Sequence, residues 1–125
     1  GVLNMHPGIL PDNRGLDTIK WAIFNDLPQG VTTHLIDGKI DRGLLVEKEE
    51  ISVYEDDTLL DLQIRIQNLE QKMMLSSVDL LEKDSINKFQ KIKKGQYNTS
   101  MPKDLEKNLL NKFEIYKRRR KIENY

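Results

Sequence analysis

The strongest constraint on the fold is an amphipathic pattern in the second half of the chain. Apolar residues there follow one another at spacings of three and four, which places their side chains on one face of an α-helix: Leu59, Leu62, Ile66, Leu69 and Met73. Thr58 and Asp61 resemble a capping box, so the helix is predicted to begin directly after Thr58. A helix with one apolar face has to cover it. We therefore expect this stripe in the core or in a subunit contact, and not in a cofactor site.

The rest of the chain alternates short strand patterns with helical ones, which indicates an α/β fold. An apolar run at residues 1–5 ends at the turn Pro7-Gly8, and β-branched or apolar residues at 31–36 and 44–51 predict two further extended segments. Residues 16–26 have helical spacing, and we expect this helix and the long one to cover the sheet. The carboxyl ends of the strands are then expected to form the active cleft.

The length and composition fit one core. The chain has 125 residues, of which 38% are hydrophobic, and this is enough for an ordinary domain. The long helix is expected to continue through a charged stretch to about residue 94, while residues 103–125 carry a last helical pattern. We therefore predict a main part at residues 1–94 and a C-terminal loop and helix at residues 95–125.

Charge and cysteine content exclude several classes of function. Twenty Lys and Arg residues balance twenty Asp and Glu residues, so no overall field would attract nucleic acid or an anionic membrane. The basic run at residues 117–121 is interpreted as a solvated helix end, where the helix dipole favours cations. The absence of cysteine excludes thiolate metal sites and fits the cytoplasm. We predict no metal, no nucleic acid and no membrane contact.

Asn4 and His6 are the first candidates for chemistry. Side chains two apart in a strand point to the same face, so a carboxamide and an imidazole would share one site. The amide can donate to an oxygen that becomes negative, and the imidazole can donate to it or move a proton, as acyl transfer requires. Asp41 follows the turn at residues 36–40 and could orient the ring. The alternative is a structural or solvated histidine. For His34 in the second strand we expect a core position, or one that supports the catalytic groups, rather than a direct catalytic role.

Four separated motifs then carry a resemblance. They are Asn-Met-His-Pro-Gly-Ile-Leu-Pro at residues 4–11, Arg-Gly at 14–15, Gly-Val-Thr-Thr-His-Leu-Ile-Asp at 30–37, and Ile-Asp-Arg-Gly at 40–43. Their order and spacing resemble the formyltransferases that use 10-formyltetrahydrofolate. The resemblance covers residues 2–81, about the second half of that family's catalytic domain. It implies the second half of a Rossmann-like formyltransferase domain, here followed by a long C-terminal helical region.

The resemblance also assigns roles to residues. Asn4, His6 and Asp41 match the family's catalytic triad, in which Asn and His steady the oxyanion while Asp and an ordered water assist proton transfer. The segment that lies against the pterin ring of the folate cofactor is matched by Ile36, Asp37, Gly38 and Ile40. Arg42 departs from the family pattern, which more often has a small or hydroxyl residue there, and it adds a cation near the site.

The amine that accepts the formyl group is less sharply defined. Family members formylate glycinamide ribonucleotide, methionyl-tRNA or the amino group of a nucleotide-linked sugar. The segments around residues 11–15 and 26–32, together with Trp21, look most like those of the sugar N-formyltransferases, and we expect Asn13 and Arg14 to bind the substrate. Trp21 itself is expected to pack rather than to bind the sugar. Formylation of glycinamide ribonucleotide is the alternative within the enzyme class.

The sequence lacks the first half of the family's catalytic domain, and two expectations follow. The folate pocket of this chain alone should be incomplete, so a non-catalytic truncated fragment that acts in assembly is the rival hypothesis. A sheet without its first half would also have an exposed edge, which invites pairing with another chain. We therefore expect a homodimer.

Overall fold

The computed structural model describes residues 1–36 and 43–123, without the side chains of residues 86, 122 and 123. The strands are β1 (Val2–Pro7), β2 (Arg14–Gly15), β3 (Gly30–Ile36), β4 (Leu44–Glu50) and β5 (Tyr97–Asn98). The helices are α1 (Thr18–Phe24), α2 (Leu59–Lys83), α3 (Lys103–Glu106) and α4 (Leu109–Glu123), with a single 3-10 turn at Ile86–Lys88. This mixture of strands and helices confirms the predicted α/β class.

Three strands form an antiparallel sheet in the order β1-β3-β4, and the short β2 and β5 pair in parallel elsewhere. Asn4 lies opposite His34 and His6 lies opposite Thr32 across the β1 and β3 pair. Because side chains alternate between the faces of a strand, these four residues share one face. The expectation that the carboxyl ends of the strands meet is wrong for this sheet, since antiparallel neighbours end at opposite sides.

The long helix α2 begins where the capping pattern predicts. The Thr58 hydroxyl accepts a hydrogen bond from the Asp61 amide at 3.1 Å, and the Asp61 carboxylate accepts one from the Thr58 amide at 2.8 Å. The helix ends at Lys83 rather than near residue 94, because Asp84 is already extended. The following segment returns along β4, where the Ile92 amide donates to the Gly43 carbonyl at 3.2 Å and the Ile92 side chain is buried. Burial of Ile92 therefore overrides the helical pattern of the charged stretch.

One face of the sheet is covered by α2, through both apolar and polar contacts. Ile66, Leu69 and Met73 pack around Val31 of β3. Beside them the Ser77 hydroxyl lies 2.6 Å from that of Thr33 and donates to the Glu47 carboxylate at 2.7 Å; the side chains of Thr33 and Ser77 are fully buried. These contacts confirm that the predicted helical stripe is core, and they leave the opposite face of the sheet to Asn4, His6 and His34.

The last part of the chain is broken into two helices, where one helical pattern was predicted. Their core faces pack on α1 and α2 in a second apolar cluster: Ile23, Val53, Leu62, Met101, Leu109, Phe113 and Tyr116. Thus α1 packs chiefly against α4, although its Ile19 also touches the cluster around Val31. The division of the chain at residue 94 stays a prediction.

The basic run on α4 is solvated in part, as interpreted, since Arg118 and Arg119 are exposed, but it also bonds to other parts of the chain. Lys117 is buried and donates to the Asp57 carbonyl at 3.0 Å, while Arg119 donates to the Asp26 carboxylate at 2.8 Å. Lys121 donates to Glu55 at 2.6 Å. These bonds fasten α4 to two loops. Among the described residues, no helix is long and apolar enough to span a bilayer.

Candidate active site

Strand pairing brings a third polar side chain to Asn4 and His6. The amide nitrogen of Asn4 lies 2.9 Å from Nε2 of His34, directly across from it on β3. An amide N–H₂ group only donates, so Nε2 of His34 accepts and the proton of the neutral ring sits on Nδ1. This Nδ1 is buried and has no hydrogen-bond partner within the part of the chain that the structure describes. His34 therefore orients the Asn4 amide, and the second amide hydrogen of Asn4 stays available.

The ring of His6 is held by the loop that follows β1. Its Nε2 lies 2.8 Å from the main-chain carbonyl oxygen of Asn13. A carbonyl only accepts, so Nε2 carries the proton, and the lone pair of the neutral ring is on Nδ1. Gly8 allows this contact, since it has φ 131° and a Cβ there would lie 2.8 Å from the Asn13 oxygen and 3.1 Å from Nε2 of His6. The tautomer of His6 is thus set by the backbone of the loop.

That loop, residues 8–15, is itself tied to β3 and α1. The Thr32 hydroxyl donates to the Gly8 carbonyl at 2.7 Å and accepts from the Leu10 amide at 3.0 Å. Farther along the loop, the Asn13 side chain is 1% exposed and donates to the Thr18 carbonyl at 2.8 Å. The peptide bond between Leu10 and Pro11 is cis. These bonds fix the Asn13 carbonyl in its place against His6.

Both histidines are held in the neutral form. Burial lowers the pKa of His6, the hydrogen bond to Asn13 opposes this shift, and the charge of Arg14 lowers the pKa further. The pKa of His34 is also lowered, first by burial and then by the charges of His6 and Arg14. The guanidinium of Arg14 forms no hydrogen bond or ion pair with residues 1–36 and 43–123, although the backbone of Arg14 pairs with that of Tyr97. Within the described residues, the site therefore combines two neutral imidazoles, one amide N–H without a partner and one nearby cation that pairs with no described carboxylate.

The predicted site residues fall into three groups. Asn4 and His6 lie on one face, with their side chains in place, and Arg14 is close enough to act on the charge of His6. Ile36 ends β3 and is 42% exposed. Four predicted residues lie outside the described residues: Asp37, Gly38, Ile40 and Asp41. A substrate-binding role for Asn13 stays a prediction, and what the structure adds is its bond to His6.

His34 takes a supporting position beside Asn4, which agrees with the expectation of a core or supporting histidine without a direct catalytic role. The sequence interpretation did not identify Asn4 as the residue that His34 contacts. The signal that could have found it is the alternation of β3, which puts Thr32 and His34 on one face, combined with antiparallel pairing to β1. An open cavity of about 380 Å³ lies elsewhere, between Pro7, Thr18, Gln63 and Glu70, and none of the three polar site residues lines it.

Comparison with known proteins gives the family. A family model described as formyl transferase matches residues 1–78, which include Asn4, His6 and His34. The chain belongs to the formyltransferase family. Within this family, a methionyl-tRNA formyltransferase of Alkaliphilus oremlandii is 30% identical over 109 residues, which are 86% of this chain and 35% of that protein. The chain therefore spans about a third of that curated formyltransferase.

Solved structures of formyltransferases share the fold. The formyltransferase PseJ of Anoxybacillus kamchatkensis, in complex with UDP-4,6-dideoxy-4-formamido-L-AltNAc and tetrahydrofolate, is 33% identical with a TM-score of 0.66, over 86% of this chain and 56% of that one. A 4-N formyltransferase of Francisella tularensis is 34% identical with a TM-score of 0.62, over 78% and 40%. The phosphoribosylglycinamide formyltransferase of Bacillus halodurans is 36% identical with a TM-score of 0.56, over 65% and 43%. The predicted fold and family are thereby confirmed.

Proposed function

We propose that this chain supplies the catalytic groups for transfer of a formyl group from 10-formyltetrahydrofolate to an amine. The observation that carries the proposal is the shared face of Asn4 and His6, on which one amide N–H and one imidazole lone pair have no partner among residues 1–36 and 43–123. The bound folate would supply the formyl carbon. A donor and a proton acceptor side by side are the two groups that acyl transfer to an amine requires.

The remaining N–H of Asn4 would stabilise the formyl oxygen. That oxygen gains negative charge when the amine nitrogen bonds to the formyl carbon, and a donor fixed in advance costs no reorganisation at that moment. His34 keeps the Asn4 amide in one orientation through the 2.9 Å bond. His34 is accordingly a positioning residue in this proposal, and Asn4 is the group that touches the reacting oxygen.

His6 would handle the proton. Its Nδ1 can take a proton from the attacking amine, because Nε2 is occupied by the Asn13 carbonyl at 2.8 Å. Once protonated, Nδ1 can donate to the same formyl oxygen. The bond from the formyl carbon to the folate nitrogen then breaks, and the proton passes to that nitrogen. A share for Asp41 in this transfer, and for Asp37, Gly38 and Ile40 in holding the pterin ring, stays a prediction.

We propose a nucleotide-linked amino sugar as the substrate that supplies the amine. Two observations support this: the similarity to PseJ, whose solved complex contains a UDP-linked formamido sugar, and the cation of Arg14 near the histidines, which pairs with no carboxylate of the described residues. A nucleotide diphosphate is the kind of anion that an arginine binds through two parallel hydrogen bonds. A cytoplasmic location fits the absence of cysteine and stays a prediction.

Formylation of glycinamide ribonucleotide is the second candidate. It is favoured by the 36% identity to the Bacillus halodurans enzyme, and its phosphate would suit Arg14 equally well. The third candidate, a non-catalytic fragment that acts in assembly, stays a prediction. These hypotheses differ in the ligand that the site accepts, so a binding experiment separates them.

The test is a calorimetric titration of the chain with a stable 10-formyltetrahydrofolate analogue, with and without a UDP-linked amino sugar or glycinamide ribonucleotide. Saturable binding of the analogue that His6→Ala and Asn4→Ala weaken, followed by formylation of the amino sugar, is the expected result. Formylation of glycinamide ribonucleotide alone would replace the proposed substrate. No binding by the folded chain would leave the non-catalytic hypothesis.

A further inference from the structure

The helix α2 carries a second apolar stripe on the side that faces away from the sheet. We call it the outer stripe; it consists of Leu60, Ile64, Gln67, Gln71, Met74 and Val78, all exposed. Its apolar members are 42% to 60% exposed. An α-helix turns once in 3.6 residues, so Leu60 and Ile64 lie just over half a turn from the buried Leu62 and Ile66.

The spacing of the outer stripe is regular. Its members follow each other at intervals of four, three, four, three and four, which is the heptad spacing of a helix that pairs with another helix. Single exposed apolar residues are common on protein surfaces and do not by themselves indicate a binding site. A heptad series over five turns on one helix is different, because it lines up two apolar pairs with two glutamines between them along roughly 27 Å at 1.5 Å per residue.

We propose that the outer stripe is the contact through which two copies of this chain associate, with their α2 helices antiparallel. One antiparallel register matches the stripe of one copy to that of the other. In this register the two helices cross the two-fold axis at the level of Leu69. In that register Leu60 faces the second copy's Val78, Ile64 faces its Met74, and Gln67 faces its Gln71. Every contact then occurs twice, as a two-fold axis requires. Within the outer stripe, apolar residues meet only apolar residues, and the amides of the Gln residues can bond each other at the centre.

The borders of the outer stripe are compatible with this pairing. In the antiparallel register Gln63 would face Leu75 and Asn68 would face Glu70, so no like charges meet, and the Asn68 amide can donate to the Glu70 carboxylate. Leu75 is itself 75% exposed and would widen the apolar contact. A second copy is therefore a better occupant than a lipid surface, which selects a helix with Lys and Arg along its polar borders.

Two cations of α2 near the outer stripe are already paired within the chain. Arg65 bonds the Asp57 carboxylate at 2.8 Å, and Lys83 bonds Asp79 at 2.8 Å. These pairs draw the charges away from the seam and lower the cost of bringing a second helix close. The proposal differs from pairing at the free edge of β1, which was the basis of the sequence prediction, and it is independent of the proposed function.

The test is sedimentation equilibrium of the chain over a range of micromolar concentrations. We expect a dimer whose dissociation constant rises at least tenfold in Ile64→Glu, because each dimer loses two apolar contacts. Leu110→Glu is the matched control, since Leu110 is 67% exposed on α4 and lies outside the stripe; this variant should dimerise like the parent chain. Circular dichroism confirms that both variants are folded, as expected for substitutions at exposed positions.

The double variant Ile64→Glu with Met74→Lys tests the orientation. In the antiparallel dimer each new Glu meets the partner's new Lys, so dimerisation should recover by at least threefold relative to Ile64→Glu. In a parallel dimer like charges would meet at both levels and dimerisation would weaken further, which would overturn the antiparallel assignment. A monomeric parent chain, or a dimer that Ile64→Glu leaves unchanged, would overturn the outer stripe as the contact. A dimer that Ile64→Glu leaves unchanged would favour association through the edge of β1.

Discussion

Replacement of Gly8 by alanine should disturb both the stability of the chain and the state of His6. Gly8 has φ 131°, a conformation that L side chains rarely adopt, and the new Cβ would lie 2.8 Å from the Asn13 oxygen and 3.3 Å from Cγ2 of Thr18. A residue held in such a region costs of order 1 to 3 kcal/mol. Overpacking adds about 1 kcal/mol or more. We therefore expect the free energy of unfolding to fall by about 3 kcal/mol, the sum of these two contributions.

The same substitution should weaken the hydrogen bond that holds the His6 ring. To relieve the short contact the Asn13 carbonyl has to move, and its bond to Nε2 of His6 lengthens from 2.8 Å. That bond raises the pKa of His6 against the effect of burial, so its loss should lower the pKa further. It also fixes the proton on Nε2, so the variant should populate both neutral tautomers. Activity should fall because the proposed proton acceptor, Nδ1, is then available only part of the time.

Urea unfolding monitored by circular dichroism measures the stability, and the ¹⁵N chemical shifts of the imidazole report the tautomer. Thr58→Ala is the control, because it destabilises α2 far from His6 and should leave the ring unchanged. A Gly8→Ala chain as stable as its parent, or one in which Nε2 of His6 keeps its proton in every molecule, would refute the argument from loop geometry.

Three further results follow from the described contacts. Thr58→Ala should lower the free energy of unfolding by about 1 kcal/mol in urea titrations, since it removes the helix cap; no change would contradict the capping box. The lowered pKa values of His6 and His34 mean that the unfolded chain binds more protons below pH 6.5, so stability should fall from pH 7.5 to 5.5, and His6→Gln should reduce that slope. Arg65→Met should cost about 3 kcal/mol at pH 7 because Asp57 stays buried without its partner. Burial raises the pKa of Asp57, but the hydrogen bonds from Arg65 and the Tyr54 amide, with the charges of Arg65 and Lys117, lower it, and the net shift is downward. The cost should therefore shrink as acid protonates the carboxyl, and a cost independent of pH would contradict this explanation.

Local patterns predicted much of the fold. The three strands and the start of α2 were readable because β-branched runs, turn residues and the cap at Thr58 act within a few residues. The end of α2 was not readable, since it depends on Ile92 reaching the core beside Gly43, far away in the chain. The break between α3 and α4 was missed because an apolar pattern does not show where the backbone turns.

The site was predictable to the extent that it depends on alternation within one strand. Asn4 and His6 share a face because they are two residues apart, whatever the partner strand is. The role of His34 depends on the register of β1 against β3, and that of the Asn13 carbonyl depends on the path of the loop after Gly8. Neither can be predicted from residue types alone. Every residue has a main-chain carbonyl, so the sequence does not show which carbonyl will accept a hydrogen bond from His6.

The pairing of β2 with β5 has a consequence for the order in which the molecule folds. Arg14 and Gly15 are held by Tyr97 and Asn98, and the Asp17 carboxylate accepts from the Met101 amide at 2.8 Å. These partners lie more than eighty residues apart, so the loop between them must close before they meet, and such long-range contacts are slow to form. The β1 and β3 pair needs a much shorter loop. During synthesis, the sheet face that carries Asn4, His6 and His34 should therefore form before Arg14 is held beside it. Arg14 should reach its place only when residues 97–101 have left the ribosome.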